Sequence, residues 1–274
     1  MNRQLVILFL ILVGFQSFGQ RKPKIKGNRN VVEVREDLPP FSAIELEDDL
    51  EVVLQKSSNE GYMVEADDNL LDVLKFKVAD STLIISSFYN ITTKKRLNIT
   101  IYYTELDRLS MNNGEISMND VITSDKLDIQ TSGTARLELN ATASIINIEM
   151  EGISSGDFNV ASDSLNLTLK DRIDVKVYAT GESNTIYMYK NASAKLEGNV
   201  ERVMAKLYGN SNLKAEKLET NATVLVSEDS PSAYVFVTTD FQLSSRGSSK
   251  TSLYGNPKIT ILDFLDTSQL HKEN

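Results

Sequence analysis

Few residues in this chain could do chemistry, and Thr131-Ser132-Gly133, at the centre of LDIQTSGTARLELNATASI (residues 127–145), is the first place to look. A hydroxyl pair beside a glycine can be a nucleophile, an anion cradle or only a turn. A serine nucleophile needs a base to take its proton. The one histidine, His271, lies close to the carboxyl end, and there is no cysteine. Ser-His-Asp, Cys-His and zinc-ligand arrangements are therefore out of reach, and no Ser-Lys pairing stands out.

Carboxylates are the next chemistry to weigh. The densest groups are Glu45-Leu46-Glu47-Asp48-Asp49-Leu50-Glu51 and Asp67-Asp68-Asn69. Paired acids cleave glycosidic bonds, and calcium can assist at such sites. In the first group, however, the acids fall on the outward positions of a strand and then on a turn, where solvated charges sit. Neither group has the spacing of a calcium loop. The expectation is solvated surface, with no catalytic residue, no metal and no cofactor.

Aromatic side chains suggest binding instead. Tyr187 and Tyr189 alternate out of phase with Ile186 and Met188, so they are expected on the solvent side of a strand, and Tyr208 follows Tyr189 by 19 residues. Tyrosines stacked in this way can pack against sugar rings or a partner protein. They can equally form a ladder whose only role is to stabilise the sheet. Tyr187, Tyr189 and Tyr208 are thus the expected binding surface, and its partner would be a surface glycan or an envelope protein. Six Asn-x-Ser/Thr triplets reflect strands rich in Asn and Thr.

Charge narrows the partners further. The formal net charge is -9, from 29 basic and 38 acidic residues. Such a chain repels nucleic acid and anionic surfaces unless it carries a local basic patch. The only basic cluster is Arg21-Lys22-Pro23-Lys24-Ile25-Lys26. The first segment, MNRQLVILFLILVGFQSFGQ, has a basic start at Arg3, a short apolar run from Leu5 to Phe15, and small residues Ser17 and Gly19 spaced like a cleavage site. It reads as an export signal removed after Gly19, because the apolar run is short against the roughly 20 residues of a spanning helix. No integral span is expected in the mature chain.

The elements that must position these residues are organised by a repeat. Steps of 19 from Gly133 reach Gly114, Gly152, Asp171, Lys190, Gly209, Glu228 and Gly247. The column four residues earlier reads Ser110, Ile129, Ile148, Leu167, Ile186, Ala205, Val224 and Leu243. The column six residues later reads Asp120, Leu139, Phe158, Val177, Leu196, Ala215, Tyr234 and Leu253. Side chains alternate between these points, as in Leu165, Leu167 and Leu169, which is the pattern of a strand. A unit of 19 residues is too short for two helices and suits one coil of a parallel β-helix. Coils stacked at about 4.8 Å would pair their backbones with both neighbours, and the preferred crossover hand makes the solenoid right-handed. In this reading Gly133 belongs to a column of turns. The counterparts of Ser132, among them Asn113, Glu151, Lys170, Tyr189, Tyr208 and Arg246, share no nucleophile.

The organisation expected is a signal at 1–19, a flexible basic leader at 20–34, the β-helix at 35–258, and a C-terminal cap or tail at 259–274. Residues 31–105 read as irregular opening coils that cover the first stacking edge. Leu70, Leu71, Val73 and Leu74 read as one helical turn.

The order Phe41-Ser42-Ala43-Ile44, Val52-Val53-Leu54, Asp68-Asn69-Leu70-Leu71, Leu83-Ile84-Ile85 and Leu97-Asn98-Ile99, followed by turns such as Ser132-Gly133 and by Leu253-Tyr254-Gly255-Asn256-Pro257, resembles the head GIN domain family of auto-transporter adhesins, exported β-helical proteins common in the Bacteroidetes. The resemblance spans about residues 35–258. It implies the β-helical fold, export to the periplasm or cell surface and adhesion, and it brings no catalytic or ligand-binding residues. The expected function is therefore a non-enzymatic adhesin or envelope-binding protein. A carbohydrate-active β-helix enzyme and a structural periplasmic protein are the alternatives.

Overall fold

The computed structural model describes residues 22–273, so the proposed signal and its cleavage point lie outside the described residues. The chain forms a β-solenoid of about nine turns with coils of about 19 residues. Consecutive long strands, Arg136–Met150, Ser155–Leu169, Asp174–Met188, Ser193–Gly209 and Asn212–Asp229, each pair in parallel with the next. Their apolar positions point into one continuous core. Ile129, Ile148, Leu167 and Ile186 are all buried and stack directly from coil to coil.

Each coil turns at one residue in the left-handed region of backbone space. Nine such residues run from Gly114 to Asp266, with φ between 58° and 81°. Gly152 shows why the position is demanding. Its φ is +81°, and a Cβ there would meet the Gly133 carbonyl oxygen at 2.8 Å. The residue after each corner keeps the backbone ladder intact across the turn: the Ile153 N–H donates to Gly133 O at 2.7 Å, and the Arg172 N–H to Gly152 O at 3.0 Å.

Where the glycine is replaced, aspartate does a second job. The Gly152 N–H donates to Asp171 Oδ2 (3.4 Å), the Gly209 N–H to Asp229 Oδ2 (3.1 Å) and the Gly247 N–H to Asp266 Oδ2 (2.9 Å). In each case the carboxylate of one corner holds the amide of the corner before it, which offsets the strain of a positive φ. Lys190, the fourth non-glycine corner, instead forms an ion pair with Asp171.

The strict 19-residue count slips at five positions, and the structure corrects each. The extra residue lies between the pairs Lys195–Lys214 and Glu197–Lys217, where Glu216 has no partner in the earlier coil. After it the corner falls on Asp229 and not Glu228, the inward side chain is Leu225 and not Val224, and the coil spans 20 residues. The next coil is shorter, so Gly247 returns to phase, while Val235 takes the inward place expected of Tyr234. At the other end, Leu109 and not Ser110 pairs with Ile129, and Met118 is buried where Asp120 was expected. A one-residue slip turns a side chain from core to solvent. The chain accommodates its bulges so that an apolar residue always faces inward.

Residues 31–105 begin the stack differently from the rest. Ala43–Leu46 and Glu51–Lys56 pair in parallel with Arg108–Met111 and Glu115–Met118. They pair in parallel again on their other side, with Thr82–Ser87 and Leu97–Tyr103. Only beyond those does the pairing turn antiparallel, in Leu74–Ala79 with Thr82–Ser87, and in Leu97–Tyr103 with Gly61–Asp67 and on to Val31–Asp37. A four-residue helix, Asp68–Leu71, buries Leu70. The leader expected to be flexible is strand at Lys24–Lys26, paired with Asn90–Thr93, and Val31–Asp37 follows it. The reason is Asp67. Its carboxylate is fully buried, not solvated as expected, and accepts the backbone N–H groups of Arg29, Lys95 and Arg96. Burial alone would push this acid up, but those amides and the charge of Lys95 more than offset it and leave it below the usual carboxylate range.

Residues 258–273 do not fold over the stack as a cap. Lys258–Phe264 pairs in parallel with Ser232–Ser245, and Gln269–Lys272 with Lys250–Tyr254, so this segment adds one more coil.

Candidate functional site

Thr131 and Ser132 are the first candidates to place. Thr131 is buried and its hydroxyl donates to Ser154 Oγ at 3.0 Å. Ser132 Oγ donates to Asn112 Oδ1 at 2.7 Å, with no basic group on it. Gly133, φ +62°, is a corner. The hydroxyls fasten neighbouring coils.

The acidic stretches do not converge either. Asp48 pairs with Lys22 and accepts the Ser87 N–H at 2.8 Å, while Glu51 reaches Lys94 at 3.3 Å. Asp68 accepts from the side chains of Asn30 and Asn28, which hold it below the ordinary value. These carboxylates fasten the amino-terminal strands to the solenoid. Among the described residues, no group of three or more His, Cys, Asp or Glu side chains is set to hold a metal ion. His271 is exposed and sits on the strand Gln269–Lys272, its Nε2 3.4 Å from Gln269 Oε1.

The tyrosines do come together. Ile186 and Met188 are fully buried, while Tyr187 and Tyr189 stand on the opposite side of the strand, half-buried. The rings of Tyr189 and Tyr208 lie one coil apart with centroids at 5.2 Å and planes within 6°. Lys206, one coil after Tyr187, brings its ammonium within 5.6 Å of the Tyr187 ring. Two rings and a cation–π pair thus share one outer face beside the corner.

Counting tyrosines alone missed the polar rows on that face. Asn147 Nδ2 donates to Asp128 Oδ1 at 2.7 Å, and Asn166 Nδ2 donates to Asn147 Oδ1 at 2.8 Å, forming a side-chain ladder across three coils. Burial would raise the Asp128 acid, yet Asn147 and Lys126 bring it below its usual value. Nearer the tyrosines, Lys170 pairs with Glu149, which raises the lysine. Asp128, Asn147 and Asn166 are 19 residues apart, as are Tyr187 and Lys206. The period therefore held the signal for both groups. The arrangement offers flat aromatic area, amide donors and acceptors, and charges of both signs.

Comparison with known proteins bears on the fold. A protein from Parabacteroides distasonis ATCC 8503, described as a "Putative lipid binding protein", is similar in structure at TM-score 0.63 and 18% identity, covering 92% of this chain and 100% of that one. A "putative adhesin" from Parabacteroides merdae ATCC 43184 gives TM-score 0.62 at 13% identity over 92% of this chain and 100% of that one. A second "putative adhesin" from P. distasonis gives 0.65 at 13% identity over 91% and 100%. At these identities the likeness is one of fold. No curated protein matches the chain. The family model described as "Putative auto-transporter adhesin, head GIN domain" matches residues 40–158 and 154–257, and the chain belongs to that family.

Proposed function

We propose that the protein is a non-enzymatic, exported adhesin of the cell envelope, and that its contact surface is the outer strand face bearing Tyr187, Tyr189 and Tyr208. Its partner is a surface glycan or an envelope protein. The observation that carries the reading is the Tyr189–Tyr208 stack, set beside the Tyr187–Lys206 pair on one outer face. Stacked rings with polar tips suit a saccharide, which presents apolar C–H faces and a rim of hydroxyls. The Asn147–Asn166 ladder beside them supplies amide donors and acceptors. The membership of the adhesin family supports the same reading.

Glycan arrays and immobilised envelope fractions, probed with residues 20–274, test it directly. Binding is expected, and Tyr189→Ala/Tyr208→Ala should weaken it about tenfold or more with unchanged circular dichroism, since aromatic contacts contribute about 0.5–1.5 kcal/mol each. No binding in either screen, or binding indifferent to the double variant, sinks the surface assignment. Release of products from acidic or neutral polysaccharides, lost in Glu47→Gln or Asp49→Asn, would overturn the non-enzymatic part. Protease digestion of intact cells separates a surface location, where the protein is cleaved, from a periplasmic one, where it is spared.

A further inference from the structure

The two ends of the solenoid are built differently. At the amino-terminal end the outermost strands, Val31–Asp37 and Leu74–Ala79, run antiparallel to their neighbours and carry Glu33, Arg35, Glu36, Asp37, Lys75 and Lys77. Charged side chains of this kind blunt a sheet edge against further pairing. No large apolar residue of either strand is exposed.

The other end is less protected, with three charged side chains, Lys258, Asp263 and Lys272, on its edge strands against six at the amino-terminal end. Lys258–Phe264 and Gln269–Lys272 are each bonded on one side only, and among the described residues no coil lies over them. Ile259, Ile261 and Phe264 pair with Phe241, Leu243 and Ser245, so they point over the core, yet they are 42%, 45% and 45% exposed. Leu262 and Leu265 are exposed beside them at 59% and 50%. Five of the twelve large exposed apolar residues of the described chain thus fall within seven positions. Together they form an apolar floor framed by a row of unpaired backbone groups, which is the surface a sheet edge uses to recruit another strand.

We propose that this open end is the interface for a second copy of the same chain, docked tail to tail about a twofold axis. The blunted amino-terminal edge leaves the carboxyl-terminal edge of another copy as the matching surface, which gives a closed isologous pair and not a fibre. The order of side chains on Lys258–Phe264 supports the pairing. Leu262 is a bulge, because Leu243 pairs with Ile261 and the next residue, Ser244, pairs with Asp263. With the bulge set aside, antiparallel pairing centred on Thr260 places Ile259 across from Ile261 of the other copy on the core side. It also places Lys258 across from Asp263 on the outer side. Opposite charges and apolar partners then match on their respective faces, twice over by symmetry.

Light scattering on the eluting chain, over the micromolar range, reads the outcome. The expected mass is twice that of the single chain, which is 30.6 kDa for all 274 residues. Ile261→Lys should raise the dissociation constant at least about a hundredfold by placing a cation at the centre of the apolar floor, with circular dichroism unchanged because the site is half-exposed. Lys258→Asp and Asp263→Lys should each weaken the pair, and the double exchange should recover it. A monomer at about 100 μM overturns the proposal, as does a dimer indifferent to Ile261→Lys. Failure of the double exchange to recover association overturns the pairing centred on Thr260. A monomer that instead adsorbs to phosphatidylglycerol vesicles through Ile261 assigns the end to a lipid surface, and also overturns it.

Discussion

Val224 and Leu225 give the most discriminating mutational test of the fold. A strict 19-residue count puts Val224 in the apolar column after Ile186 and Ala205, whereas the structure gives that place to Leu225. Leu225 is fully buried between Ala205 and Leu243, and Val224 lies on the outer side between Met204 and Gln242. Leu225→Ala removes a buried isobutyl group, and large-to-small core changes of this kind cost about 2–5 kcal/mol. Ala205 offers little side chain to collapse into the void, so a cost of about 3 kcal/mol is expected. Val224→Ala removes half-exposed methyl groups and should cost less than about 1 kcal/mol. In a chain of this size each kcal/mol moves the melting temperature by about 2–4 °C, so the two variants should separate by several degrees. Urea and thermal melts followed by circular dichroism measure both. If Val224→Ala cost as much as Leu225→Ala, the reasoning would be refuted, because adjacent residues of a strand point to opposite faces.

The remaining predictions probe corners, core and charge. Gly152→Val should cost at least about 2 kcal/mol through its positive φ and its contact with Gly133, whereas Gly152→Asp should cost less, since aspartate occupies three other corners. Equal melts for the two would contradict the corner chemistry. Ile148→Asp places an unpaired carboxyl in the stacked column and should abolish cooperative folding; a parent-like melt would reverse the inside-outside assignment. Tyr103→Phe should be neutral or stabilising by up to about 1 kcal/mol, because burial pushes its hydroxyl up to about 12 and leaves it without a hydrogen-bond partner; a loss above 1 kcal/mol would contradict that. The acids at Asp67, Asp68 and Asp171 are held below the usual carboxylate range, so their stabilisation is complete above that range and is lost as pH falls through the folded values. Hydrogen exchange followed as pH is lowered should show the Arg29, Lys95 and Arg96 amides opening ahead of the solenoid core, and protection of all three retained until the whole fold opens would count against the role given to Asp67.

The repeat made the solenoid legible because both of its signals are local. Glycine at a fixed step marks a positive φ, and alternation marks the inward face, so Ile148, Leu167 and Ile186 could be placed by counting. Counting failed at Glu216, where one added residue forms a bulge that no local pattern announces and that the following coil absorbs. It failed also at Asp67, because a carboxylate surrounded by polar residues looks solvated until three distant amides close on it. On the outer face the tyrosine stack followed from the same period. The Asp128–Asn147–Asn166 ladder obeyed that period as well, but side-chain amides look alike in solvent and in a ladder until their neighbours are known.

The acidic corners give the stack a direction. Asp171, Asp229 and Asp266 all reach back, each latching an amide that belongs to the turn before it. None of the three can close its latch until the preceding turn is in place. A chain delivered amino end first therefore meets every template already laid, and the molecule is suited to being wound in the order in which it arrives.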